Sequence, residues 1–393
     1  LLTRQFIFLC LAIFVTFANQ AMLIPTIPLY INSLGGSASL AGLALFTFAV
    51  PSFLVRPLMG NACDKWGGAF VLIAGLGILA IGGLLYFIPY MAAVFAASIL
   101  RGTAWGATST GGLALLVTTS PQGRRGEASG YYNSAMTSAS ILFPAVALWM
   151  IHGHGGYRWV FLLSIVFGVL AIPMTLAIRA PREPTAAMRS EDGGPPQPAI
   201  NRGIILAMLL NLGASIPQPA IVSFLPLYAK HLQIGDVGLF YVISGILTVV
   251  LRPLLGKRSD SLGRGPYIAL GFVIQAIGFT VVFFGTTKIM VLTGAVIASF
   301  GPALVGAASM ALAMDFAPVH GQGRSMATYS MTYQLGGGLG SMLAGGLADM
   351  FGLPSMYIGA LVVTLFGAAL LAATWREIAR PQLDFRRSLP SSA

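Results

Sequence analysis

Arg101, in the run LRGTAWG (100–106), lies near the middle of a long apolar stretch. A charge at that depth of a membrane costs about 2.5–3.5 kcal/mol even on the more lenient insertion scale, so its guanidinium must face a polar cavity or a partner. Three roles are open to it: a cation holding an anionic group of a substrate, a charge that tunes a nearby proton site, or a donor to backbone carbonyls between helices. Trp105, one turn later, either stacks on a substrate or packs. Arg56 and Arg252 lie nearer the ends of their stretches. Their long stems can carry the charge to the interface, which favours a structural role.

Acids follow a different pattern. No Asp or Glu falls at the centre of an apolar stretch; Glu127, Asp315 and Asp349 lie at the ends. A buried carboxylate can have its pKa raised into a working range and exchange protons for cations. Without one, a cavity containing Arg101 disfavours organic cations and favours neutral, zwitterionic or anionic molecules. If protons drive the reaction, Glu127, Asp315 or an aspartate at a helix end must carry them. Neutral polar residues outline the rest of a cavity: Gln20, Asn133, Thr137, Asn211, Gln218, Tyr329, Tyr333 and Gln334. Asn211, Ser215 and Gln218 share one helix face, and each residue of this set serves equally well as an interhelical hydrogen bond. His152 and His154, with no nearby carboxylate or cysteine, read as a turn rather than a metal site. No phosphate loop is present, and the Gly-rich run 336–340 lies inside an apolar stretch. No cofactor, metal or enzymatic activity is expected.

The elements that position these residues follow from composition. Of 393 residues, 56% are hydrophobic and only 8% charged, with a mean hydropathy of +0.83. A soluble surface needs roughly 25% charged residues, which excludes soluble enzymes and nucleic-acid binders. At about 20 residues per crossing, the length allows about twelve spans. Apolar runs and their breakers place them at 5–33, 38–62, 69–88, 90–118, 125–151, 158–179, 203–231, 236–259, 266–285, 289–316, 323–350 and 355–375. The first stretch is too long for the apolar core of a signal peptide and reads as a span. Between the sixth and seventh spans lies the polar, Pro-rich segment 180–202, a linker joining an N-terminal bundle (1–179) to a C-terminal bundle (203–393) that ends in a short tail. Cys10 and Cys63 fall in or beside spans and imply no disulfide framework.

The net charge of +11 records orientation. Of 22 Lys and Arg, three (Arg158, Lys230, Lys288) fall on one side, three (Arg56, Arg101, Arg252) within spans, and the other sixteen on the side of the termini and linker. That bias places both termini and the linker in the cytoplasm, with the chain multi-pass in the inner membrane.

An internal repeat organises the whole. VRPLMGNACDKWG (55–67) matches LRPLLGKRSDSLG (251–263) at a constant offset of 196, pairing Gly60 with Gly256, Asp64 with Asp260 and Gly67 with Gly263. IPLYINSL (27–34) matches LPLYAKHL (225–232) at an offset of 198, which also pairs Gln20 with Gln218. Duplicated bundles of one orientation put a substrate site near the midplane between them.

The loop GNACDKWGG (60–68) and its fuller copy GKRSDSLGR (256–264) resemble the G-x-x-x-D-x-x-G-R signature of the major facilitator superfamily. The R-P-x-x-G start of both loops looks most like the bacterial drug:proton antiporter and arabinose-efflux-like permeases. The resemblance implies an all-α polytopic membrane protein, twelve transmembrane helices in two pseudo-symmetric six-helix bundles, working by alternating access. It also implies a cavity lined by the first, fourth, fifth, seventh, tenth and eleventh spans. Asp64 and Asp260, repeated just past helix ends on the cytoplasmic side, read either as a latch against helix N-termini of the other half, where a carboxylate is favoured, or as ordinary helix caps or loop charges. Two departures stand out. The first copy has Gly68 where the second keeps Arg264, and Thr118 where the second has Asp315, so Arg264 and Asp315 look like a retained ion pair. The Gly-Pro-rich antiporter run of the fifth span is not recognisable in 131–147.

The expectation is therefore a secondary transporter, monomeric, whose partners are a small molecule, the bilayer and, in some schemes, protons. Export of a small organic molecule is the first reading and import of a small anion or sugar the second. A transporter-fold receptor is the alternative from another class.

Overall fold

Thr3 accepts a hydrogen bond from the Phe6 N–H and so starts a 30-residue helix, α1 (Arg4–Ser33), about 45 Å long and ample for a bilayer crossing. In this computed structural model the described residues are 3–120, 124–153, 155–178, 201–249, 263–317 and 322–388. Their regular structure is helical. After α1 come α2 (Ala38–Leu54), α3 (Arg56–Trp66), α4 (Gly68–Leu84) with a 3-10 turn at Leu85–Phe87, α5 (Met91–Thr119), α6 (Arg125–Gly153) and α7 (Gly156–Leu176). The second half runs through α8 (Arg202–Ser215), α9 (Pro219–Val222), α10 (Leu225–His231), α11 (Gly238–Val249), α12 (Arg264–Phe284), α13 (Lys288–Asp315), α14 (Gln322–Phe351) and α15 (Ser355–Ser388).

Eight stretches, counting α4 with its 3-10 turn and α8 with α9, are long and apolar enough to cross a membrane, as is the bent pair α2–α3. The helices α5 and α14 are as long, 29 and 30 residues, but are diluted by Gly, Ser and Thr because they pack at the centre. Large apolar side chains such as Leu54, Ile289 and Phe366 stay exposed, as lipid-facing residues do.

Prolines set the departures from straight spans. The second span bends by 44° between α2 and α3, where Pro57 occupies the first turn of α3. Past the bend the helix reaches Trp66, so Asp64 lies in its last turn rather than beyond its end at 62. The expected single helix over 203–231 is three pieces, because Pro217, Pro219 and Pro226 cannot supply the N–H groups a continuous helix needs. The last helix does not stop near 375 in a short tail but continues to Ser388.

Each half repeats one packing scheme. In the first, α4 lies along α5 and α1 packs on α6 and α7; in the second, α12 lies along α13 and α8 packs on α14 and α15. The repeat extends to backbone angles. Gly67 (φ 87°, ψ 152°) and Gly263 (φ 100°, ψ 153°) precede the next helix of their halves in nearly the same conformation, one that essentially only glycine adopts. The halves meet along α2 and α14. There a Cβ on Gly42 would overlap the Ser341 carbonyl and one on Gly345 the Ala38 carbonyl, so the helices touch backbone to backbone.

Candidate functional site: a caged arginine and a polar cavity

Arg101 lies ten residues into α5, roughly 15 Å from its start, and is 3% exposed. Its cage is neutral. Nη2 donates to Gln20 Oε1 at 2.8 Å and to Asn19 Oδ1 at 3.2 Å, and Nη1 to the Tyr86 hydroxyl at 3.5 Å. The guanidinium also lies 5.8 Å from the Tyr86 ring centre and 5.9 Å from that of Phe48, within cation–π range. Asn19 is itself fixed, donating to the Ser164 carbonyl of α7. On α4, Gly82 makes room: a Cβ there would come within 2.8 Å of Arg101 Cγ. Among the described residues no carboxylate pairs with Arg101, and its Nε is buried without a hydrogen-bond partner.

Such a cage offers oxygens to the charge without cancelling it. A buried cation normally requires a counter-ion. Neutral acceptors lower the cost of burial and leave a positive potential at the site. Trp105 does not join the cage but packs edge-on to Phe17 of α1, ring centres 4.7 Å apart.

The other polar residues divide into two sets. A cavity of about 330 Å³ is lined by Thr137, Asn211, Ser215, Gln218 and Tyr333, with Ser244 added to the residues singled out from sequence. It is bounded by α6 of the first half and by α8, α11, α13 and α14 of the second, so it is lateralised rather than centred. Gln218 and Tyr333 are exposed to it, and its lining includes no charged residue. Asn211 is committed to packing: it is 1% exposed and its Nδ2 donates to Thr332 Oγ1 at 2.6 Å. Tyr329 is likewise buried, its hydroxyl donating to the Gly306 carbonyl at 3.1 Å.

Outside the cavity, Asn133 is exposed and bonds its own helix through the Ser129 carbonyl. Gln334 borders a separate apolar pocket of about 170 Å³ between α2 and α14. Gln20 belongs with Arg101. The contribution of α11 was missed in the sequence, although Ser244 and Thr248, one turn apart on an otherwise apolar helix, were its visible signal.

At the ends of the bundles, Arg264 Nε lies 3.4 Å from Asp315 Oδ2. Glu127 bonds Arg124 at 2.7 Å on the surface. Gly60 has open space around it, and Asp64 is exposed without a partner among the described residues. Gly256 and Asp260 lie outside the described residues, as do Arg252 and His154. Polar contacts between the halves occur at the end away from the termini: Lys230 Nζ to Asn32 Oδ1 at 3.0 Å, His152 Nδ1 to Asp236 Oδ1 at 3.9 Å, and Asp349 to the start of α2.

Membrane-length helices repeated in two bundles around a polar cavity define a polytopic membrane transporter. The family model described as Major Facilitator Superfamily matches residues 9–260 and 203–391, and the chain belongs to that superfamily. It is 23% identical over 353 residues to an uncharacterized MFS-type transporter, MJ1560, of Methanocaldococcus jannaschii, covering 88% of this chain and 91% of that protein. Over 188 residues it is 25% identical to the quinolone resistance protein NorA of Staphylococcus aureus, a match spanning about half of each, 47% and 48%. A bacterial homolog of the human lysosomal transporter Spinster, solved inward-facing and unoccupied, shares the fold with a TM-score of 0.76 at 14% identity over 96% and 97% of the two chains. The nucleoside transporter NupG (TM-score 0.73, 14% identity, 95% and 99%) and the human organic anion transporter MFSD10 (0.67, 15%, 94% and 99%) share it too.

Proposed function

We propose that this transporter exports a small neutral, zwitterionic or anionic organic molecule across the inner membrane by alternating access. The observation that carries this reading is the arginine cage. Arg101 is buried among Gln20, Asn19 and Tyr86 with no carboxylate paired to it among the described residues, and the cavity between the halves has polar but no charged side chains in its lining. An organic cation entering such a site would lose its water without gaining a counter-ion. A carboxylate, a zwitterion or a hydroxyl-rich molecule would find hydrogen-bonding partners in Gln218 and Tyr333 of the cavity and a positive potential at Arg101.

The bundles 1–179 and 203–393 rock as units joined by the linker 180–202. With both termini cytoplasmic, as the distribution of Lys and Arg supports, the contacts between the halves close the outer face and the cavity opens inward. The partial match to a quinolone resistance protein favours export. Proton coupling, where it operates, runs through Glu127, Asp315 or an end aspartate, and the chain acts as a monomer. Import of a small organic anion is the second reading, favoured by the same uncompensated charge.

Purified protein in liposomes, assayed for flux under imposed pH gradients of either sign, tests the scheme. Substrate leaving the compartment equivalent to the cytoplasm, and faster when protons run the other way, is the expected result. Flux indifferent to the gradient removes proton coupling, and saturable binding without flux replaces the transporter by a receptor.

A further inference from the structure

Asp349, in the last turn of α14, reaches across to the other half of the molecule. Its Oδ1 accepts from the Ala38 N–H and its Oδ2 from the Ser39 N–H, both at 2.8 Å. These are the first two residues of α2, whose preceding Ser37 side chain accepts from the Leu40 N–H at 3.3 Å. Two of the N–H groups that a helix start leaves without intrahelical partners are therefore satisfied by the opposite half, and a negative charge sits on the positive end of the helix. Just below, Ser39 Oγ donates to the Gly345 carbonyl at 3.3 Å, where the two helices run backbone to backbone.

The same helix pair carries the converse arrangement at its other end. The second span continues from α2 through the bend into α3 and finishes with Asp64 in its last turn, while α14 begins at Gln322. Each of the two antiparallel spans thus ends in an aspartate at the end where the other begins. Among the described residues only one of the two has a partner: Asp349 holds the start of α2, and Asp64 is exposed.

We propose that Asp349 is a conformational latch for the end of the transporter away from its termini, engaged in alternation with Asp64 at the opposite end. Its two bonds exist only while the start of α2 meets the end of α14, so they stabilise one of the two access states and not the other. The inference rests on the two-state cycle of the fold and is independent of which molecule is carried.

Electron–electron distance measurements on the full chain in lipid nanodiscs test it. Spin labels at the exposed Tyr90 and Ile289 report the latched end, and labels at Thr118 and Met314 report the other, with Cys10 and Cys63 replaced by alanine. Asp349→Asn should move the population ratio about tenfold toward states with a longer 90–289 and a shorter 118–314 distance. Asp64→Asn should not move it in that direction. Ala38→Pro deletes one donor at a helix position where proline is tolerated. It should shift the distances in the same sense as Asp349→Asn and add nothing in the double variant. Ala38→Pro alone carries the test if Asp349→Asn fails to insert. Unchanged distances, or fully additive effects in the double variant, would overturn the proposal.

Discussion

Arg101 of α5 and Gln20 of α1 are joined by a 2.8 Å hydrogen bond, so the buried cation of this transporter is held by an amide where a carboxylate would neutralise it. Arg101→Ala should abolish transport while the protein still inserts and folds, since the substitution removes a desolvated charge and leaves acceptors costing about 1–3 kcal/mol unsatisfied. Arg101→Lys should rescue little. The ammonium keeps the charge but cannot reproduce a planar fork contacting Gln20, Asn19 and Tyr86 together. Flux and thermal unfolding measured side by side separate the two effects.

Gly82 gives a way to disturb the cage without touching its members. A Cβ at Gly82 would sit 2.8 Å from Arg101 Cγ, and overpacking of this kind typically costs about 1–3 kcal/mol. Gly82→Leu should reduce flux strongly with Arg101 intact, whereas Gly77→Leu, on the same helix with open space around it, should not. Initial rates in proteoliposomes check this.

Within the cavity, exposed and buried polar residues should respond differently. Gln218→Ala should raise KM with little loss of stability, because Gln218 is exposed to the cavity. Asn211→Leu should lower the unfolding temperature, because it removes a buried interhelical hydrogen bond worth about 0.5–1.5 kcal/mol, although the Thr332 hydroxyl keeps its bond to the Tyr329 carbonyl. Concentration-dependent flux and thermal melts of the two variants distinguish a ligand contact from a packing bond.

The Arg264–Asp315 pair, 3.4 Å apart and partly exposed, should contribute at most about 1 kcal/mol to stability. Asp315→Asn should therefore leave the melting temperature nearly unchanged. Any altered dependence of its flux on a pH gradient would assign Asp315 to proton coupling.

Much of this architecture was legible in the sequence because bilayer thickness converts directly into helix length. Glycine packing was half legible. The four-residue spacing of Gly102 and Gly106 on α5 marks a face of close approach, and both meet a neighbour's backbone, at Phe48 and Ser52 of α2. On α14, Gly336 and Gly340 pack on Ser215 and Ile216, but the face made by Ser341 and Gly345 against α2 was not anticipated, because one glycine-rich helix supports more than one small face. The three-piece seventh span was obscured by an apolar run that continues through its prolines. Gln20 was found by its repeat partner Gln218, yet the two serve different places, one the arginine cage and one the cavity: duplication preserves residue types more readily than environments. Asn19 went unnoticed because a single amide in an apolar helix carries no pattern, and its value to Arg101 exists only once α1 and α5 are packed together.

The most direct measurement compares wild-type and Arg101→Ala protein in liposomes for saturable flux of two matched sets of compounds, one neutral or anionic and one of permanently charged quaternary ammonium cations. Flux confined to the neutral and anionic set, and lost in the variant, is expected from an arginine caged by amides. Saturable transport of the quaternary cations, equal in wild type and variant, would contradict it.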